Sequence, residues 1–217
     1  MSTLLLRFAA PLQSWGHESK FERRATGREP TKSGVIGFLA AALGRRRTDS
    51  VKDLAGLKFG VLIIKPGQTM RDYHIAASSK RTYVTHRYYL EDADFLVGLE
   101  GDSEFLGELE AAVLSPYFPL FLGRRSCPPT GRVCLGLRDA GLKDALISEP
   151  FHSSGDIKLM LDSDEVGYHR QRDLPVSFDM RHRKFAYRYL KFESEKPQNK
   201  APLIAETLHD PFSEVAE

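Results

Sequence analysis

Short apolar runs, set apart by glycine, proline or charge and interleaved with two helix-spaced segments, constrain this chain more than any other feature. "TLLLRF" (3–8), "LKFGVLII" (57–64) and "ADFLVGL" (93–99) have the length and β-branched or aromatic content of buried strands. Residues 32–43 read as a short helix: Thr31 or Ser33 can cap it, Pro30 fixes the chain before it and Gly44 can end it. Phe105, Leu106, Leu109, Ala112 and Val113 recur at helical spacing, which predicts a second helix over 103–114 stopped by Pro116. "YFPLFL" (117–122) and "RVCLGL" (132–137) add strand material. The resulting β-α-β-β-α-β order is that of an α+β, ferredoxin-like palm, which is also the scaffold of the RNA-recognition motif.

The polar and aromatic stretch 68–87 falls between two strands of that order and reads as an inserted β-hairpin, the place of the thumb that the family resemblance given below implies. We therefore expect a ferredoxin-like unit, the palm of that resemblance, over residues 1–139 carrying this hairpin, followed by a β-rich C-terminal extension over 140–217. In the extension "DIKLMLD" and "PVSFDMRHRKFAYRYLKF" read as extended segments, and the last twenty-odd residues as a tail.

No apolar run approaches the ~20 residues that span a bilayer, and Arg7 and Pro11 interrupt the start, so a cytoplasmic location without a membrane partner is expected. Two cysteines without zinc-site spacing and seven scattered histidines give no support to a metal, and no cofactor is expected. Gly27, Lys32 and Ser33 imitate part of a phosphate-gripping nucleotide loop. Thr31, however, occupies the place of the second glycine that such a loop needs.

Charge is segregated on a molecule of formal net charge +2. Residues 1–47 hold nine Lys/Arg against three acids, 65–87 five against one and 170–191 seven against two, whereas 91–110 hold eight acids and no Lys or Arg. A polyanion responds to such local fields rather than to the total. Ordinary solvated faces are the alternative reading.

Three basic segments join cations to residues that can shape a backbone. In "FERRATGREPTKSG", Arg23, Arg24, Arg28 and Lys32 with the hydroxyls of Thr26 and Ser33 suit a phosphate bend at a helix start. A capped helix behind an exposed loop is the simpler account. In "MRDYHIAASSKRTYVTHRYY", Tyr73, Tyr83, Tyr88 and Tyr89 are interleaved with Arg71, Lys80, Arg81 and Arg87, with His74 beside Tyr73, so unpaired bases can stack on the rings while cations follow the backbone. In "FLGRRSCPPTGR", Gly123 permits an unusual backbone that presents Arg124, Arg125 and Ser126.

These segments, with "LLLRFAAPLQSWG", "RDYH", "RYYLEDADFLVGL" and "YFPLFLGRRSCPPTGRV", occur in an order that resembles the subtype I-E branch of the Cas-five family, within the RAMP superfamily of CRISPR-associated proteins. The resemblance runs from about residue 4 to 133. It implies a non-catalytic RNA-binding subunit of Cascade, the crRNA-guided complex for antiviral defence. It further implies that the palm grips the crRNA 5′ handle while the thumb presses on the guide. The implied partners are the backbone subunits, the large PAM-reading subunit and, through the complex, target DNA. The alternative is a metal-independent endoribonuclease that processes precursor crRNA, as related subtype I-C members do. His17, His74, His86 and Lys80 supply residue types for that chemistry. A generic RNA-recognition-motif binder is disfavoured, since no RNP1-like aromatic motif stands on the expected strand.

Overall fold

A computed structural model describes residues 1–16, 23–77, 82–150, 157–165 and 169–195. In chain order the elements are β1 (Ser2–Gln13), β2 (Trp15–Gly16), β3 (Arg23–Arg24), β4 (Thr26–Gly27), α1 (Lys32–Ala42), α2 (Lys52–Ala55), β5 (Lys58–Lys65), β6 (Gln68–Ala77), β7 (Thr82–Gly101), α3 (Ser103–Leu114), β8 (Cys134–Arg138), α4 (Leu142–Ser148), β9 (Ile157–Ser163), β10 (His169–Ser177) and β11 (Lys184–Glu195). The protein is a mixed α/β structure around one mostly antiparallel sheet of order β10-β11-β9-β5-β7-β1-β8, with β6 and β3 paired to β7 off this path.

Side-chain parity explains why the strands of this sheet are apolar throughout. Leu4, Leu6, Phe8, Phe59, Val61, Ile63, Phe95, Val97 and Leu99 point to one face, into a core shared with Val35, Ile36, Phe38 and Leu39 of α1 and Leu106, Leu109 and Val113 of α3. Leu5, Leu62, Leu96, Leu159 and Leu161 point to the other, into a second core with Leu142, Ala145 and Leu146 of α4. Both faces are buried, so alternation with polar residues is not required. Helix α4 sits close because Gly60 and Gly98, partners across β5 and β7, offer no side chain. A Cβ at Gly98 would lie 2.7 Å from Leu142 Cδ1, and one at Gly60 3.0 Å from Leu146 Cδ1. The sheet face that an RNA-recognition motif leaves bare for base stacking is therefore covered over β1, β5 and β7.

The expected strand over 117–122 does not form. The amides of Tyr117 and Phe118 instead donate to Ala42 O (2.9 Å) and Ala41 O (3.3 Å), satisfying carbonyls at the end of α1. The strand expected over 93–99 is the distal half of the 20-residue β7, whose first half pairs with β6 in the expected hairpin. The segment read as extended over 175–192 is divided between β10 and β11 by residues 178–183. Helices α2 and α4 were not anticipated.

Much of the acidic run 91–110 is consumed by structure. Asp94 pairs with Arg7 at 2.7 Å, and Asp102 caps α3 by accepting from the amides of Glu104 and Phe105. Glu100 accepts from Lys58 Nζ (2.9 Å) and from the Leu142 amide (2.7 Å) at the start of α4. Burial alone would raise the pKa of Glu100, but these two bonds outweigh it and hold the carboxyl below its ordinary value. A depressed folded-state pKa gives stability that is present above the unfolded pKa and lost as pH falls through the folded one. Glu100→Gln is expected to cost about 1 kcal/mol at pH 7. Urea titrations of both proteins should show that gap closing below about pH 4.

Among the described residues no helix is long and apolar enough to cross a membrane, and no group of three or more His, Cys, Asp or Glu is placed to hold a metal ion. Cys127 and Cys134 are buried free thiols, with pKa values raised by that burial.

Candidate nucleic-acid interface

The structure brings parts of all three basic segments together at the base of the thumb. Strand β3 pairs in parallel with β7, Arg23 beside His86 and Arg24 beside Arg87. From the third segment, Arg124 Nη2 donates to Arg24 O at 2.8 Å, and its guanidinium carbon lies 4.7 Å from the centroid of the Tyr89 ring. Alternation along β7 places Thr85, Arg87 and Tyr89 on one face and His86 and Tyr88 on the other. Tyr73 of β6 meets His86 on that second face, ring centroids 5.9 Å apart.

Four of the five buried polar side-chain atoms that lack a hydrogen-bond partner among the described residues fall in this cluster: Thr85 Oγ1, His86 Nδ1, Arg87 Nε and Arg124 Nη1. Buried donors without partners are costly and uncommon. His86 lies on the opposite face of β7 from the other three; Thr85, Arg87 and Arg124 share one face, and two guanidinium groups among them suit an anion supplying several oxygen acceptors.

The loop that presents Arg124 is fixed by close backbone contact. Gly123 has φ +86°, and a Cβ there would lie 1.7 Å from Ser14 O. On either side, Ser14 N donates to Leu122 O (3.1 Å), Leu122 N to Cys127 O (2.7 Å) and Cys127 N to Arg124 O (2.8 Å). The first segment is tethered to the same region, because Trp15 N donates to Thr26 Oγ1 at 2.8 Å and the Trp15 ring packs on Gly34. That ring is held in turn by Gln13, whose Oε1 accepts from the indole Nε1 and whose Nε2 donates to Phe8 O and Ala93 O.

The remaining predicted site residues are not all brought to this cluster. Arg28 and Arg125 are exposed. Arg71 is exposed on β6, opposite Tyr88. His74 is paired with Asp72, which stands opposite Arg87 in the hairpin register. Ser126 Oγ is 3.8 Å from Cys127 Sγ, and Ser33 Oγ is 3.4 Å from Thr31 Oγ1. Thr26 Oγ1, besides accepting from Trp15, donates to Gly27 O. Arg23 enters through its backbone pairing alone, and Lys80 and Arg81 lie outside the described residues. Lys32 departs most from expectation: it is 5% exposed, with its ammonium turned inward onto Asp162 at 2.8 Å.

That inward turn belongs to a buried network. Asp173 Oδ2 accepts the Lys32 amide (2.8 Å) at the start of α1, while Arg188 donates to both oxygens of Asp173 at 2.6 and 2.9 Å and also to Asp162. The helix N-terminus is therefore satisfied by a protein carboxylate and by the Thr31 cap. Among the described residues it is not the open anion site that its sequence suggested.

The model of the family described as CRISPR-associated protein (Cas_Cas5) matches residues 3–191 of this chain. The chain belongs to the Cas_Cas5 family. It is 39% identical over 158 residues to the CRISPR system Cascade subunit CasD of Escherichia coli (strain K12), covering 62% of this chain and 70% of that one. Among solved structures, this Cas_Cas5 chain is similar to one described as a crystal structure of a Cas protein. The TM-score is 0.76 at 40% identity, covering 92% of this chain and 97% of that one. It is also similar to a chain of a CRISPR RNA-guided surveillance complex, with a TM-score of 0.79 at 30% identity, covering 89% and 90%. The family resemblance carried by the sequence motifs is thus shown.

Within this Cas_Cas5 chain Thr85 is the member of the cluster that sequence reasoning did not name; His86 entered only as a residue type for nuclease chemistry, and Arg87 and Tyr89 only as part of the basic and aromatic stretch. The "RYY" run was visible as part of a basic and aromatic stretch. What singles these residues out is the parallel pairing of β3 with β7, which joins positions more than sixty apart and leaves no local pattern.

Proposed function

We propose that this protein is a non-catalytic subunit of the Cascade surveillance complex that holds the 5′ handle of crRNA at the base of its thumb, in cytoplasmic defence against foreign DNA. The observation that carries the reading is the convergence of Arg24, Arg87 and Arg124, with unpartnered buried donors on two of the three. The family and the Cascade relative make guide RNA the polyanion of choice. The strand order β5-β7-β1-β8, with α1 and α3 on one face, supports a ferredoxin-like palm over 1–139 whose thumb is the β6–β7 hairpin. Residues 140–217 form the proposed extension.

In this reading Arg24, Arg87, Arg124 and Arg125 contact handle phosphates, Arg28 lies along the same path, and Gly123 and Ser126 shape the loop. Tyr73, His74 and Arg71 belong to the thumb surface, and Lys80 and Arg81 are further proposed RNA contacts. Lys32, Thr26 and Ser33 act by building α1 and its approach. Backbone subunits, the large PAM-reading subunit and target DNA are the proposed partners of the assembled complex.

The test is binding of handle-bearing RNA by the purified chain in EDTA. The RNA should be recovered intact, and Arg124→Ala/Arg125→Ala should weaken binding about tenfold or more without lowering the thermal midpoint. Discrete cleavage of precursor crRNA would favour the endoribonuclease reading instead.

A further inference from the structure

We propose that the β10–β11 hairpin is a second nucleic-acid contact, a sequence-independent platform for a phosphodiester strand on a surface separate from the thumb base. Arg170, Arg172, Arg181, Arg183 and Lys184 are all exposed on this hairpin. Three carboxylates of the same hairpin are engaged by other groups. Asp173 is taken by Arg188 and the Lys32 amide, Asp179 accepts from the backbone of Arg181, and Glu193 pairs with Lys143 and Lys191.

The guanidinium groups are also pre-ordered. Arg170 lies 3.7 Å and Arg172 5.9 Å from the centroid of the Tyr187 ring, which is itself 50% exposed. Arg183 lies 5.3 Å from that of Phe185. A guanidinium held on a ring keeps its N–H donors in its own plane and loses less entropy on binding than a mobile one; Arg172 Nε donates to Phe185 O (3.4 Å), so a phosphate there would be met by its Nη groups. Arg170 and Arg172, two positions apart on β10, approach the same Tyr187 ring and so gather two guanidinium groups at one exposed spot.

Protecting a sheet edge accounts for only part of this pattern. Charges and a proline on an outermost strand discourage edge-to-edge pairing, and Arg170, Arg172 and Pro175 on β10 serve that end. It does not call for further cations on residues 181–184, or for guanidinium groups laid on the exposed ring of Tyr187. Strands β11, β9 and β5 separate β10 from β7, a distance of about 19 Å at the usual spacing, so the hairpin does not share the thumb-base cluster. The surface stands whether or not that cluster binds the handle.

The experiment uses the full chain and three fluorescent probes: a short single-stranded RNA of arbitrary sequence lacking a handle, a short DNA duplex, and polyglutamate. Arg170→Ala/Arg172→Ala/Arg183→Ala should weaken RNA binding at low salt about tenfold or more and reduce the log-log salt slope by about 2. The same loss should appear in the Arg124→Ala/Arg125→Ala background. Tyr187→Phe should bind as the parent, while Tyr187→Ala should lose part of the affinity. If the triple variant fails to fold, Arg181→Ala/Lys184→Ala, at the turn, should still lower the slope.

A larger loss for RNA than for duplex assigns the surface to a single strand, and the reverse assigns it to a duplex; either supports the proposal. Unchanged affinity and slope for both nucleic acids in folded variants would overturn it. So would polyglutamate bound as tightly as RNA and lost in the same proportion, since the partner would then be an acidic protein. Loss of arbitrary-sequence RNA binding confined to the Arg124→Ala/Arg125→Ala variant would sink this inference and leave the thumb-base reading intact.

Discussion

Gly123→Ala is expected to destabilise the protein by about 3 kcal/mol or more, lowering the thermal midpoint by about 6–12 °C for a chain of this size. Two costs combine. An L-residue at φ +86° pays for left-handed backbone, and the added Cβ would fall 1.7 Å from Ser14 O, a backbone atom that cannot swing aside. Relief requires the 122–127 loop to part from residue 14. That breaks the Ser14–Leu122 bond and moves Arg124 off Tyr89, so handle binding should fall with stability. Gly131→Ala is the control: Gly131 also has positive φ, but nothing lies within 4 Å of its Cβ position, and strain alone should cost about 1 kcal/mol. Equal midpoints for the two variants would show that close approach at residue 123 does not hold the loop.

Asp173→Ala should be as damaging, at about 3–5 kcal/mol, because it removes one partner from the buried network and leaves the other charged. Arg188, with 6% of its side chain exposed, would keep only Asp162, and the first amide of α1 would lose its acceptor. Asp173→Ala/Arg188→Met should recover part of the loss, since removing both members abolishes the uncompensated charge. Urea midpoints at constant m-value check this. A double variant no better than the single would locate the cost in the helix cap rather than in the charge. The pairing also explains the basic excess over 170–191: Arg188 is structural, and the cations left for a partner are those facing outward.

The central sheet and its helices were legible where apolar runs and helix spacing act locally. Residues 3–8, 57–64 and 103–114 folded as their patterns imply, and α1 over Lys32–Ala42 follows from Thr31 and Gly44. The hairpin at 68–87 was legible from its position and polarity, but its continuity with the palm strand was not, because the pattern changes from exposed to buried within β7. Helix α4 escaped notice because seven residues give a short period, and its place depends on the missing side chains of Gly60 and Gly98.

Charge was legible in amount and misleading in direction. Lys32 looked like a phosphate ligand in sequence, whereas Asp162 and Asp173, some 130 to 140 positions away, turn it into a core residue. Arg24, Arg87 and Arg124 read as members of three separate patches, and only tertiary pairing makes them neighbours.

The central claim is that this convergence grips the guide's phosphates, and the salt dependence of handle-RNA affinity tests it most directly. With about five phosphate contacts the wild-type log-log slope should be near −3.5, and Arg124→Ala/Arg125→Ala should make it shallower by about 1.4. A slope identical in wild type and double variant, with both proteins folded, would contradict the account.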